Sequence, residues 1–175
     1  MTHGIITRHQ KTKEVAKMAI EITTSLNSPV YDDALAIREE VFVQEQHVPA
    51  DREVDSDEGK AIYFVAYDAD HHAEGTVRLV PDAHGVGDVQ RMAVRKNARH
   101  HGIGADLLQA IADYAQDNAY DKLVLHAQVH AIPFYQKLGY TLTSRPEFLD
   151  AGIRHREMVR SLVEDTEEGA LRHVQ

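Results

Sequence analysis

The chain contains no cysteine. That excludes disulfide staples and any mechanism built on a thiol nucleophile. No apolar run approaches the ~20 residues of a membrane span. The first ten residues, MTHGIITRHQ, lack the apolar stretch of a signal peptide. The expectation is a soluble cytoplasmic protein with no membrane partner. Basic charge is scarce: 19 Lys and Arg stand against 28 Asp and Glu, a formal net charge of −9. This balance argues against nucleic acid as the partner and favours a cationic or neutral substrate. No internal repeat and no Pro/Gly/Ser-rich linker divides the sequence. At 175 residues and 43% hydrophobic, the chain suits one domain large enough to bury a core. Nothing in the sequence decides between a monomer and a homodimer.

Histidine is abundant, with 12 residues. The adjacent pairs His71-His72 and His100-His101 do not share a helix face. His126 and His130 are separated by an expected strand-to-helix transition. No metal site is therefore expected.

The order of elements follows from periodicity. Residues 1–16 are polar and read as a loose arm. MAIEITTSL reads as a first strand. SPVYDDALAIREEVFVQEQ reads as a helix, with Ser28 before Pro29 at the first helical position and Leu35, Ile37, Val41 and Phe42 at helical spacing. VPADREVDSDEG is a carboxylate-rich loop. AIYFVAYDADHHAEGTVRLV reads as a hairpin, DVQRMAV as a strand, and residues 103–118 as an amphipathic helix. KLVLHAQ (strand), AIPFYQKLG (short helix stopped by Gly139), YTLTS (strand) and GIRHREMVRSL (strand) complete the domain, which spans 17–162. Residues 163–175 read as a polar tail. This order predicts an α/β (or α+β) domain, a mixed sheet with helices packed on it.

The stretch VQRMAVRKNARHHGIGADLLQ carries the strongest functional signal. A strand runs into a basic loop with Arg95, Lys96 and Arg99, then into Gly102 and Gly104 at the head of a helix. Helix N-termini present unpaired N–H groups and partial positive charge, and glycines let a ligand approach the backbone. Local physics leaves two readings open: a phosphate cradle or a plain strand-to-helix turn. A P-loop is excluded, because G-x-x-x-x-G-K-[ST] is absent. A dinucleotide fingerprint is excluded too, because Gly102-Ile103-Gly104 is followed by Leu107 in place of a third glycine.

The stretch RHHGIG, residues 99–104, fits the Q/R-x-x-G-x-G/A motif of the GNAT superfamily of N-acetyltransferases. VQRMAV before it resembles the family's fourth strand, and AIPFYQKLGY, about thirty residues later, resembles its A-x-x-FYxKLGF signature. IREEVFVQEQHVP and FLDAGIRHREMV look like a bacterial subgroup of the same family. The resemblance covers residues 18–160. It implies a mostly antiparallel sheet whose fourth and fifth strands splay apart to admit the pantetheine arm of acetyl-CoA. It implies that backbone groups of Met92, Ala93 and Val94 bond that arm. Backbone amides of Arg99, His100, His101, Gly102, Ile103, Gly104 and Ala105 would hold the pyrophosphate, with the side chains of His100 and His101 solvated. Gln128 stands where many relatives carry an asparagine that bonds the pantetheine.

The resemblance further implies acetyl transfer from CoA to an amine, with acetyl-CoA as co-substrate and no metal. Such transfer needs positioning, a neutral amine, stabilisation of the oxyanion and a proton for the thiolate. Tyr135 matches the tyrosine that relatives place beside the CoA sulfur, where a phenol serves as general acid. Phe134 beside it is expected in the core, and His126 is expected to be a satisfied strand histidine. For the general base the sequence offers Asp88, Glu45, Asp55, Asp57, His155 or a water. The acidic loop with Asp51, Glu53, Asp55, Asp57 and Glu58 suggests a small cationic amine as acceptor. The competing expectations are a GNAT-fold module that binds acyl-CoA without transferring anything, and a histidine-rich metal-binding protein.

Overall fold

The structure, a computed structural model, describes residues 18–163. The expected arm, and all but the first residue of the expected tail, lie outside these residues. The elements are β1 (Ala19–Thr23), α1 (Pro29–Arg38), α2 (Ala50–Glu53), β2 (Ile62–Tyr67), β3 (Ala73–Pro81), β4 (Val86–Val94), α3 (Ile103–Asp117), β5 (Lys122–Gln128), α4 (Ile132–Lys137), β6 (Thr141–Leu142), β7 (Phe148–Asp150) and β8 (Ile153–Ser161). They form an eight-stranded sheet in the order β1-β2-β3-β4-β5-β8-β6, with β7 also paired to β8. Every pairing is antiparallel except β4 with β5. The mixed α/β domain expected from the element order is the one observed.

Local chemistry accounts for the boundaries. Ser28 caps α1 by accepting the N–H of Val30 at 3.2 Å, with Pro29 at the first helical position. The helix then departs from expectation. It does not run on as α-helix to residue 46 but widens into a π-helical stretch, Glu39–Glu45, closed by Gln46 N–H donating to the Val41 carbonyl at 3.1 Å. The hairpin turn between β2 and β3 is built by Asp68, whose Oδ1 accepts the N–H groups of Asp70 and His72 at 2.9 and 2.8 Å. β2 is buried on both faces. α1 covers one side through Tyr31, Ala34 and Ile37 against Tyr63, Val65 and Tyr67. α3 covers the other through Leu107, Leu108, Ile111 and Ala115 against Phe64, Leu79, Leu123 and Leu125. Each fully buried Leu, Ile, Val or Phe among them contributes about 1.5–3 kcal/mol.

One core residue carries a polar cost. Tyr140, the last residue of the motif AIPFYQKLGY, is 1% exposed and its hydroxyl has no partner among the described residues. A buried, unpaired hydroxyl costs about 1–3 kcal/mol. Tyr140→Phe is therefore expected to raise stability by about 1 kcal/mol, roughly 2–4 °C in Tm for a domain of this size. Calorimetric melting of the two proteins checks this, and a lower Tm in the phenylalanine variant contradicts it.

Candidate active site

The two parallel strands part company midway. β4 and β5 pair from Val86 with Lys122 to Val89 with Leu125, and no further, although β4 continues to Val94 and β5 to Gln128. β4 bends away through a bulge. Its register against β3 slips between Thr76 and Arg78, and Arg91 takes φ +55°, a left-handed conformation that bulky residues rarely adopt. The splay expected for the fourth and fifth strands is present.

The basic elbow lies at the open end. His100 and Gly102 both have positive φ, +67° and +80°, and Gly102 caps α3 without a side chain. Among the described residues, the backbone N–H groups of residues 99–105 donate to no protein acceptor; the first bond of α3 is Asp106 N–H to the Gly102 carbonyl at 3.0 Å. A run of free N–H groups at a helix head is an anion-binding arrangement. The basic side chains contribute less than the sequence suggested. Arg99 donates to the Val94 carbonyl at 2.9 Å and to Glu45 at 2.8 Å, and Arg95 pairs with Glu40 at 2.9 Å. His100 and His101 are exposed, as expected.

Strand β4, the head of α3 and α4 converge at Gly104. A Cβ built there would lie 3.6 Å from Phe134 Cζ and 3.8 Å from both Cε and Sδ of Met92. Phe134 is thus not a core residue. It is 38% exposed, because a helix of six residues has too few turns to bury more than one face, and that face is taken by Tyr135. Tyr135 packs against the α3-side core, with its ring 5.1 Å from Phe134 and 6.0 Å from Tyr140. Burial pushes its phenol up to about 12. The hydroxyl has no partner among the described residues, so it is a protonated donor without an acceptor. Gln128 ends β5, and Ala93 is buried while Met92 and Val94 are partly open.

The acidic loop is not the cation trap its composition suggests. Arg38 and Arg78, each 1% exposed, run beneath it. Arg38 grips Glu58 through two bonds of 2.7 and 3.1 Å and Glu53 through one of 2.7 Å. Arg78 bonds Asp55 at 2.8 and 3.1 Å, Glu58 at 2.9 Å and Gln90 at 2.8 Å. Arg91, at the bulge, reaches Asp55 at 3.3 Å and Glu53 at 3.4 Å. Three arginines thus match three of the loop's five carboxylates, which ties the loop to α1, β3 and β4 and offsets much of its charge. Sequence proximity hid this, since the arginines lie far from the loop in the chain.

Glu58 makes the network sensitive to acid. Burial alone would raise its pKa, but hydrogen bonds from Arg38, Tyr63 and Tyr31 outweigh that and hold it at about 2 against an ordinary 4.5. As pH falls, the unfolded chain therefore takes up this proton first. Its contribution to stability is complete above about pH 5 and is lost between there and pH 2. Urea unfolding at pH 7, 4 and 3 is expected to show falling stability, with a shallower decline in Glu58→Gln. An equal pH slope in the two proteins contradicts this.

The other candidates for the general base are dispersed. Glu45 is held by Arg99. The hydrogen bond from Arg78 holds Asp55 below the usual carboxylate range. Asp57 is on the loop, 3.7 Å from Lys60. Asp88 is half-buried on β4, opposite Val124, and burial raises its carboxyl. His126 is half exposed, with Nε2 3.5 Å from Glu157 and 3.3 Å from Arg145. His155 is buried on β8. Among the described residues, one group has metal-ligand spacing, Asp68, Asp70 and His72 at the exposed hairpin turn. There Asp68 is already engaged in shaping the turn. A surface depression of about 670 Å³, lined by His84, Asp121, Lys122 and Ser161 among others, lies where β4 and β5 are still paired and contains none of these residues.

The split parallel pair and the helix head at its mouth together form the candidate site, and comparison with known proteins supplies the family. Residues 15–162 match the model of the acetyltransferase (GNAT) domain. The uncharacterized N-acetyltransferase YjcF of Bacillus subtilis is 39% identical over 134 residues, 77% of this chain and 94% of that protein. A solved Lactobacillus plantarum chain, described as a candidate N-acetyltransferase, is 32% identical with a TM-score of 0.76, over 83% of this chain and 99% of its own. An acyl-CoA N-acyltransferase from Pseudomonas aeruginosa, 24% identical, shares the fold with a TM-score of 0.73, over 83% of this chain and 100% of its own. The chain belongs to the GNAT family of N-acetyltransferases and is an acyltransferase. No helix of the described residues is long and apolar enough to cross a membrane.

Proposed function

We propose that the chain moves an acetyl group directly from acetyl-CoA to a small primary amine, with Tyr135 as general acid. The observation that carries this is the opened seam between β4 and β5 with the free N–H groups of residues 99–105 at its mouth. In this reading the pyrophosphate sits on those amides. The pantetheine arm runs between the strands, paired with backbone groups of Met92, Ala93 and Val94 and with Gln128. This positions the thioester at the end of β5, near Tyr135.

The chemistry then needs no enzyme nucleophile. The amine attacks the thioester carbonyl, the C–S bond breaks, and the phenol of Tyr135 gives its proton to the departing thiolate. The acceptor side lies on the sheet face away from α3. With three of the five loop carboxylates paired to Arg38, Arg78 and Arg91, long-range attraction of a cation is reduced, and shape and local contacts choose the amine. The test is thiol release from acetyl-CoA with spermidine, glucosamine, lysine and a Lys/Arg-rich peptide as acceptors. Turnover of at least one of the free amines is expected. Acetylation confined to a folded protein partner overturns the small-amine reading.

A further inference from the structure

We propose that His155 is the general base of the transfer, taking the proton from the acceptor's ammonium group on Nε2. The proposal rests on the acetyl-transfer reading above and adds to it the residue that makes the amine nucleophilic.

Position comes first. His155 registers with Gln128, the last residue of β5, beyond the point where β4 has left that strand. Antiparallel partners share a face, so the two side chains stand together. Met158, three residues on, packs into the core under α3, which puts His155 on the opposite face. Tyr135 belongs to the α3 side. Acid and base therefore flank the end of β5 from opposite faces, so that the amine arrives on one side and the thiolate is protonated from the other. A surface depression of about 460 Å³, lined by Val129, His130, Gly152, Ile153 and Arg154, opens at these strand ends.

Nδ1 of His155 lies 2.7 Å from the Ile153 carbonyl oxygen. A carbonyl only accepts, so the proton is on Nδ1 and Nε2 carries the lone pair. Nε2 has no partner among the described residues. The ring cannot readily turn away, because it stacks on Phe148 at 5.8 Å and 21° and Phe148 is itself held by Arg145 at 4.1 Å. The residue is 9% exposed. The neighbouring charges are matched: Arg145 with Glu157 at 3.3 Å and Arg154 with Glu147 at 2.6 Å, with His126 beside Glu157 at 3.5 Å. Glu45 and Asp55 are engaged by arginines, and Asp88 belongs to the part of β4 still paired with β5.

The protons balance. Nε2 takes one from the ammonium group, and the free amine forms the N–C bond. As the C–S bond breaks, Tyr135 protonates the thiolate. The nitrogen sheds its second proton, which restores the phenol through solvent. His155 releases the first proton to solvent, so one proton is liberated per ammonium ion acetylated.

The discriminating variant is His155→Asn, whose side-chain amide can still donate to the Ile153 carbonyl. With saturating acetyl-CoA and the acceptor panel above, kcat/KM at pH 7 is expected to fall roughly 10²–10⁴-fold with acetyl-CoA affinity unchanged by calorimetry. The deficit should shrink as pH approaches the acceptor's own pKa, where the amine arrives neutral. A loss equal at every pH, or no loss, overturns the proposal. In the unmodified protein, nitrogen NMR is expected to find His155 protonated on Nδ1 at neutral pH. The Nε2-protonated tautomer overturns the proposal without recourse to any variant. Absence of both acetyl-CoA binding and thiol release in the unmodified protein would instead bring down the acetyl-transfer reading itself.

Discussion

Tyr135→Phe is expected to lower turnover roughly 10²–10⁴-fold, the usual contribution of one general acid, while leaving the fold and acetyl-CoA affinity nearly unchanged. The hydroxyl donates to nothing in the described protein, so its removal breaks no internal hydrogen bond. The ring that remains keeps its contacts with Phe134 and Tyr140. Any large loss must then come from the reaction. Burial sets the acidity: a phenol raised to about 12 stays protonated through pH 10, where an unperturbed tyrosine, pKa near 10, is half ionised. Turnover at saturating substrate should show no decline from phenol ionisation up to that pH. Single-turnover rates for both proteins at pH 7 and 10 provide the measurement. Equal rates remove Tyr135 from the mechanism.

What was legible in the sequence was contiguous. The elbow is built from adjacent residues, so RHHGIG announces itself within a few positions. The same holds for α3, whose Ile103, Leu107, Leu108, Ile111 and Ala115 recur on one stripe and are all buried. What was not legible depends on contacts between distant segments. The carboxylates of the loop looked like a cation-attracting patch because the arginines that hold them stand on α1, β3 and the bulge of β4. Nothing local in the sequence marks Arg38 and Arg78, yet each is almost fully buried. Phe134 looked like core because a single helical turn cannot reveal which side faces the seam. β7 has three residues and exists through its pairing with β8, which no local periodicity reveals. His155 stood among several base candidates, and its register with Gln128 at the end of β5 comes from pairing between segments far apart in the chain.

Gly104→Asp is expected to weaken acetyl-CoA binding at least ~100-fold, close to 3 kcal/mol, in a protein that still folds. Gly102 would be a poor choice for this test, since its φ of +80° makes any side chain a source of backbone strain. Gly104 lies inside α3, and a Cβ there would meet Phe134 and Met92 only at ordinary contact distances of 3.6 and 3.8 Å. The fold therefore tolerates a side chain. An aspartate in the first turn of a helix is even favourable, because its charge complements the helix dipole. That is also why it should block the ligand: its carboxylate would compete for the N–H groups of residues 99–105 and repel a pyrophosphate approaching them. Gly104→Ala separates the two effects, adding bulk without charge, and is expected to lose less affinity. Calorimetric titration with CoA, with melting curves for all three proteins, makes the comparison. A folded aspartate variant with unchanged CoA affinity means the helix head does not hold the phosphates.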